Sequence, residues 1–303
     1  MEARAANPAA PPRALRAAGI RQVLADYLAL TKPKVQSLLL LTTVSAMYIA
    51  GDPPLWLVLV TCLGGYLSAG GAGAVNHYYD RDIDAQMART ASRPVPSGRI
   101  APRAALWFGI ALCVASFVLL TAAVNLLAAS LALAGFAGYV GIYTVWLKRT
   151  TPQNIVIGGA AGAVPPLVGW AATTGSLSWT ALYLFAIVFY WTPPHFWALS
   201  LLMKDEYAKV GVPMMPVVRG ERETRRQILL YTLLLYAITQ LPFCAGAFGL
   251  VYLVASMTLG AGFIAGSVLL YRRADRRSAL RPYPFSPVYL ALLFGAMVFD
   301  AHF

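Results

Sequence analysis

The chain has 303 residues, of which 59% are hydrophobic and only 12% charged. Soluble domains carry about 25% charged residues, so this composition excludes a pair of soluble domains and points to a polytopic membrane protein. A formal net charge of +12 would suit nucleic acid, but the placement of the charges excludes that partner; Cys62, Cys113 and Cys244 stand alone in apolar runs and form neither a metal nor a disulfide framework.

Residues 1–24 are rich in Ala, Pro and Arg and lack the apolar core of a secretory signal. They are expected to be a flexible cytoplasmic tail ahead of one domain over 25–303. Nine apolar segments follow, at 35–51, 55–75, 104–122, 126–147, 154–173, 179–200, 228–245, 248–271 and 285–302. Each is near the ~20 residues that a bilayer core requires. The expected class is all-α, with nine transmembrane helices.

All 24 Lys and Arg fall in the amino-terminal tail and in every second connection, and the alternate connections hold none. The positive-inside rule then puts the amino terminus and the charged loops in the cytoplasm and the carboxyl terminus outside. That orientation fits a bacterial inner membrane, and a basic face suits anionic head groups and a diphosphate.

Two charged connections are long, 76–103 and 204–227. Each places acids first: Asp80, Asp82 and Asp84, then Asp205 and Glu206. Each continues into a Pro-bounded segment that ends with Arg, Pro94–Arg99 and Pro213–Arg219. This weak internal repeat predicts two acidic sites facing one cavity.

Asn76, Asp80 and Asp84 are spaced by four, which stacks them on one face of a helix. Carboxylates that close repel one another and are costly near lipid. Mg2+ takes oxygen ligands and is commonly shared with a substrate phosphate. Asn76, Asp80, Asp84, Asp205 and Glu206 are therefore the candidate metal set, and Asn76, Asp80, Asp84 and Asp205 the candidate catalytic residues. Asp82 is out of phase and is expected to pair with Arg81 or Arg89, or to orient one of the ligands. Arg93, Arg99, Lys148, Arg149 and Lys204 are the candidate diphosphate contacts, because charge-assisted bonds to phosphate are short and strong.

His195 sits deep in an apolar run, in Trp191-Thr192-Pro193-Pro194-His195-Phe196-Trp197. An imidazole there is either a satisfied core group or an axial ligand for haem iron. His77, beside the first acidic motif, is the other candidate. Tyr139, Tyr143, Trp146, Trp170, Trp191 and Trp197 are packing or interfacial aromatics, and in a site that forms an allylic cation their π faces can stabilise it.

These residues resemble the UbiA superfamily of intramembrane prenyltransferases. The shared first motif is Asn76-x-x-x-Asp80-x-x-x-Asp84. Thr31-Lys32-Pro33, Leu147-Lys148-Arg149-Thr150, Pro193-Pro194-His195-Phe196-Trp197 and Gly211-Val212-Pro213-Met214 resemble the protohaem IX farnesyltransferase branch more narrowly. Superfamily members often carry a second Asp-x-x-x-Asp, and here that register holds Met203 and Tyr207. The resemblance implies a nine-helix bundle around a central cavity. It implies Mg2+ as cofactor, farnesyl diphosphate and haem b as substrates, the lipid bilayer as surroundings, and haem A synthase as a candidate partner. A quinone-type aromatic acceptor, or a transporter with an interfacial cation site, is the alternative reading.

Overall fold

The computed structural model describes residues 19–280 and 282–303. Among these there are helices and connections and no strand. In chain order the helices are α1 (Ile20–Leu30), α2 (Pro33–Ala50), α3 (Leu55–Tyr79), α4 (Arg81–Gln86), α5 (Pro102–Ala123), α6 (Leu126–Ala137), α7 (Asn154–Gly162), α8 (Val164–Thr174), α9 (Trp179–Leu202), α10 (Lys204–Lys209), α11 (Met215–Val218), α12 (Gly220–Cys244), α13 (Leu250–Arg273), α14 (Arg276–Ala279) and α15 (Pro282–His302). After α6 the chain continues as a π-helix, Gly138–Trp146, and a short 3-10 turn, Leu147–Arg149.

Seven of the nine expected segments are long and apolar enough to cross a membrane, and the chain is a multi-pass membrane protein. The other two, α2 and α9, are helices as expected but fall outside those seven. In α9 the Trp, Tyr, Pro and His side chains lower the hydropathy. All nine segments pack in sequence, and α15 returns to α2, so the ring closes.

The connections at one end of the ring carry the acidic motifs. The opposite end is plugged by an apolar cluster from α2, α9, α12, α13 and α15, including Ala46, Leu184, Leu235, Tyr252 and Leu293. Exposed Trp56 and Trp179 lie at that end, and exposed Trp107 and Trp146 at the charged end. They form the two aromatic belts of a membrane protein, which gives Trp146 an interfacial place away from the site.

The expected tail boundary at residue 24 moves, because α1 already begins at Ile20. Residues 1–18 of that tail lie outside the described residues. One face of α1 exposes Ile20, Val23, Leu24 and Leu28. A stripe of that kind suits the membrane interface. Its other face buries Asp26, which accepts from Arg99 Nε at 3.0 Å and from Gln22.

Helix α3 is rich in small residues, so its neighbours approach closely. A Cβ added to Gly109 of α5 would sit 2.6 Å from the Gly71 carbonyl oxygen. Gly109→Val is therefore expected to destabilise the bundle by at least the 1–3 kcal/mol typical of overpacking. Thermal unfolding of the detergent-solubilised protein checks this; an unchanged melting temperature would disprove the close α3–α5 contact.

Candidate functional site

At Asp80 helix α3 bends into α4 without losing its hydrogen-bond register. Asp80 N–H donates to Asn76 O at 2.9 Å and Asp84 N–H to Asp80 O at 2.7 Å. The spacing by four therefore survives the bend. Asn76, Asp80 and Asp84 are 3%, 1% and 3% exposed, whereas Asp82 points outward.

The buried face is dense with charge. Asn76 Oδ1 accepts from Lys32 Nζ at 2.6 Å, and Asn76 Nδ2 donates to Asp80 Oδ2 at 2.6 Å. Asp80 Oδ2 also accepts from Lys148 Nζ, and Asp84 Oδ2 from Arg93 Nη1 at 2.7 Å. Each member of the acidic face thus has its own cation. Asp80 Oδ1 is buried without a hydrogen-bond partner among the described residues, and Arg149 Nη2 lies 3.9 Å from it.

Lys32 is the residue that sequence reasoning missed, having counted it among the tail charges. It stands between α1 and α2 in the left-handed region at φ 54° and ψ 59°. A non-glycine residue there costs roughly 1–2 kcal/mol. The strap packs on α3, where a Cβ at Gly73 would lie 3.0 Å from Leu30 O. Burial, and then the Arg93 and Lys148 cations, push the Lys32 ammonium down to about 7, against the pull of Asp80 and Asp84.

The π-helix explains how one segment reaches this face three times. Its i→i+5 bonding pattern widens the helix, and such stretches favour functional sites. Tyr139 OH lies 3.5 Å from Lys32 Nζ, Thr144 Oγ1 lies 3.2 Å from Asn76 Nδ2, and Lys148 reaches Asp80. Residues five and then four apart share this face, a register that a regular α-helix would not keep.

One expected pairing is corrected. Asp82 binds Arg149 rather than Arg81 or Arg89, with both carboxylate oxygens 2.7 Å from the guanidinium. That contact draws the Asp82 carboxyl down to about 2. Arg149 also donates to Tyr79 O at 2.8 Å, and Arg81 folds back on Tyr78. These residues line a cleft of about 330 Å³ with Thr144 and Val145 on the outer side of the motif. Arg99 is turned away to Asp26; of the expected phosphate contacts Arg93 and Lys148 hydrogen-bond the buried face, and Arg149 forms a longer ion pair with Asp80.

The second acidic pair repeats the first in local form. Helix α9 stops at Met203 as α3 stops at Asp80, and each is followed by a six-residue helix. In that register Asp205 matches Asp82 and Tyr207 matches Asp84. Asp205 is accordingly exposed, with no hydrogen bond or ion pair among the described residues. No hydrogen bond or ion pair among the described residues ties it to the Asn76–Asp80–Asp84 face. Tyr207 holds the buried position, facing Arg89 and Arg93, and burial pushes its phenol up. Glu206 is half-buried, with Oε2 buried and unbonded. Lys204 pairs with Glu221 at 3.1 Å.

No group of three or more His, Cys, Asp and Glu among the described residues is placed to hold a metal, so the five-residue metal set is not assembled. The smaller set does fit a hard cation. Asp80 Oδ1, Asp84 and Asn76 Oδ1 offer buried oxygens on one face, and a cation that keeps phosphate oxygens in its shell needs few protein ligands.

The two candidate histidines occupy different surroundings. His77 is 2% exposed, with neither ring nitrogen bonded among the described residues, and lies within electrostatic reach of Lys32, Arg93 and Lys148. His195 is stacked between Trp191 and Tyr283, with ring centroids 4.5 and 5.1 Å away.

The UbiA prenyltransferase family model matches residues 39–294. The chain belongs to the UbiA prenyltransferase family. A protoheme IX farnesyltransferase of Chloroflexus aurantiacus is 54% identical over 282 residues, covering 92% of this chain and 48% of the relative. That of Thermus thermophilus is 56% identical over 277 residues, covering 91% and 46%. This UbiA-family chain thus spans about half the length of these relatives. One from Symbiobacterium thermophilum is 54% identical over 283 residues and is covered over 95% of its length.

Among solved structures, one of digeranylgeranylglyceryl phosphate synthase superposes with a TM-score of 0.76 at 20% identity, covering 92% of this chain and 98% of that one. A UbiA homolog of Archaeoglobus fulgidus bound to DMAPP and Mg2+ superposes with a TM-score of 0.68 at 17% identity, covering 90% and 99%. These likenesses establish that the UbiA-family fold extends over the whole bundle.

Proposed function

We propose that the protein transfers the farnesyl group of farnesyl diphosphate to a vinyl group of haem b, giving haem O and diphosphate. The observation that carries this reading is the buried Asn76–Asp80–Asp84 face with Lys32, Lys148 and Arg93 bound to it, inside a UbiA-family bundle. The haem acceptor rests on the names of relatives such as that of Symbiobacterium thermophilum.

The chemistry balances. The C1–O bond of farnesyl diphosphate breaks and its electron pair leaves with the diphosphate. The vinyl π pair bonds to C1 of the allylic cation, water captures the new cation next to the porphyrin ring, and one proton is released. Mg2+, held by Asp80 and Asp84 with Asn76, would supply neutralisation of the leaving diphosphate when bound. Lys148 and Arg93 have the charge and position to turn from the carboxylates to phosphate oxygens. Lys32 adds a third cation, and the apolar bundle keeps water from the allylic cation. Tyr139, whose ring faces Lys32 Nζ at 5.9 Å, and Tyr143, 5.4 Å from it, would offer π faces to that allylic cation.

The charged loops and the amino terminus are cytoplasmic in this reading, the membrane is the bacterial inner membrane, and the carboxyl terminus lies outside. Residues 25–303 act as one catalytic domain, and haem A synthase, which takes haem O onward, is a fitting partner. The test supplies the purified protein with haem b, farnesyl diphosphate and Mg2+ and looks for haem O by mass. Haem O that disappears on chelation of the metal is expected. Folded protein that releases no diphosphate with haem, or farnesylates only a quinone-type aromatic, would refute the assignment.

A further inference from the structure

Residues 283–287 read Tyr-Pro-Phe-Ser-Pro, near the start of α15. Pro287 has no N–H, so it cannot bond to the carbonyl of Tyr283 four residues earlier. That carbonyl instead accepts from the Ser286 hydroxyl at 2.8 Å. A serine hydroxyl carries one proton, and here it is committed. Ser286 Oγ also lies 2.6 Å from His195 Nδ1. Both contacts are satisfied as hydrogen bonds when Ser286 Oγ accepts from His195 Nδ1, the tautomer with the imidazole proton on Nδ1. Trp191 Nε1 donates to Ser286 O at 2.8 Å and ties the same turn of α15 to α9.

The neutral imidazole then has its lone pair on Nε2, which has no hydrogen-bond partner among the described residues. Trp191 and Tyr283 lie nearly parallel to the ring, at 16° and 24°, and hold its plane. The free edge is the one a metal would meet. His77 has no such device: neither of its nitrogens is bonded among the described residues, so no partner there fixes its tautomer.

We propose that Ser286 is a positioning residue that locks His195 as the Nδ1–H tautomer and so presents Nε2 as the axial ligand of the porphyrin iron. This rests on the haem reading above and adds to it the ligand, its tautomer and the group that sets them. An imidazole that donates its other N–H is oriented and made more basic, and losing such a partner typically weakens metal binding 10–100-fold.

The experiment titrates haem b into the purified protein in nanodiscs and follows the absorption spectrum in both oxidation states. Wild type is expected to give an imidazole-ligated spectrum, and His195→Ala to lose it while His77→Ala keeps it. Ser286→Ala should bind haem about 10–100-fold more weakly, and Ser286→Thr, which keeps the hydroxyl, should restore binding. A second arm does not depend on the serine variants: in His195→Gly, imidazole and 4-methylimidazole should restore the spectrum, and 1-methylimidazole, which has no N–H to donate, should not. An imidazole signature that persists in His195→Ala, wild-type affinity in Ser286→Ala, or equal rescue by 1-methylimidazole overturns the proposal. Haem O measured on the same samples separates the two readings. Ligation without haem O refutes the farnesyltransferase and leaves the His195–Ser286 assignment standing; haem O with an unchanged His195→Ala spectrum refutes the assignment alone.

Discussion

Asp80→Asn should lower farnesyl transfer by about 10²–10³-fold or more, the range seen when one preorganised electrostatic contact is removed. The carboxylate is 1% exposed, is shared by Asn76 and Lys148, and its Oδ1 is buried without a hydrogen-bond partner among the described residues. An amide keeps the shape but loses the charge that a divalent cation needs. Asp205→Asn is the control. Asp205 is exposed and unpaired among the described residues, so its variant should stay within about threefold of wild type. Turnover per folded molecule, with Mg2+ varied, is the measurement. Equal losses at the two positions would mean that the buried face is not the diphosphate site.

Lys148→Met should affect both stability and activity. Lys148 is 14% exposed and pairs with Asp80 at 1%. Removing one member of a buried pair leaves a bare charge, which costs about 3–5 kcal/mol. Transfer should fall by about 10²–10³-fold as the leaving diphosphate loses a cation. The double variant Lys148→Met/Asp80→Asn separates these effects. Neutralising both partners should recover much of the thermal stability and none of the activity. A double variant as unstable as the sum of the singles would show that the pair is not coupled.

The acidic face was legible because its signal is local. A spacing of four in a helix sets a common face whatever surrounds it, and the bend at Asp80 preserves the hydrogen bonds that maintain that spacing. Asp82 was recognised as out of phase for the same reason, but its partner was not. Arg149 reaches it from a segment distant in sequence, and only packing chooses among several nearby guanidiniums.

The second acidic pair shows the limit of reading charge without register. Asp205 and Glu206 looked like the counterparts of Asp80 and Asp84 by composition. The shared form of two helices, each broken before a six-residue helix, aligns Asp205 with exposed Asp82 and Tyr207 with buried Asp84. Lys32 was missed for a different reason. A lysine before a proline near the amino terminus carries no sequence signal of burial, and its left-handed backbone is held by contacts with α3. Nor does composition announce a π-helix, yet that stretch and the 3-10 turn after it bring Tyr139, Thr144 and Lys148 to one face.

By itself the sequence determined the membrane class, the places of the nine helical segments, the gathering of charge at one end of the bundle and the buried acidic face. These follow from hydropathy, from the cost of moving charge across lipid and from helical period, which act within one segment. The tertiary structure decided which cation meets which carboxylate, which residue of the second motif is buried, and which histidine has a hydrogen-bond partner. Those outcomes depend on atoms from helices far apart in the chain, and a hydrogen bond or buried ion pair exists only once packing brings both partners within about 3 Å.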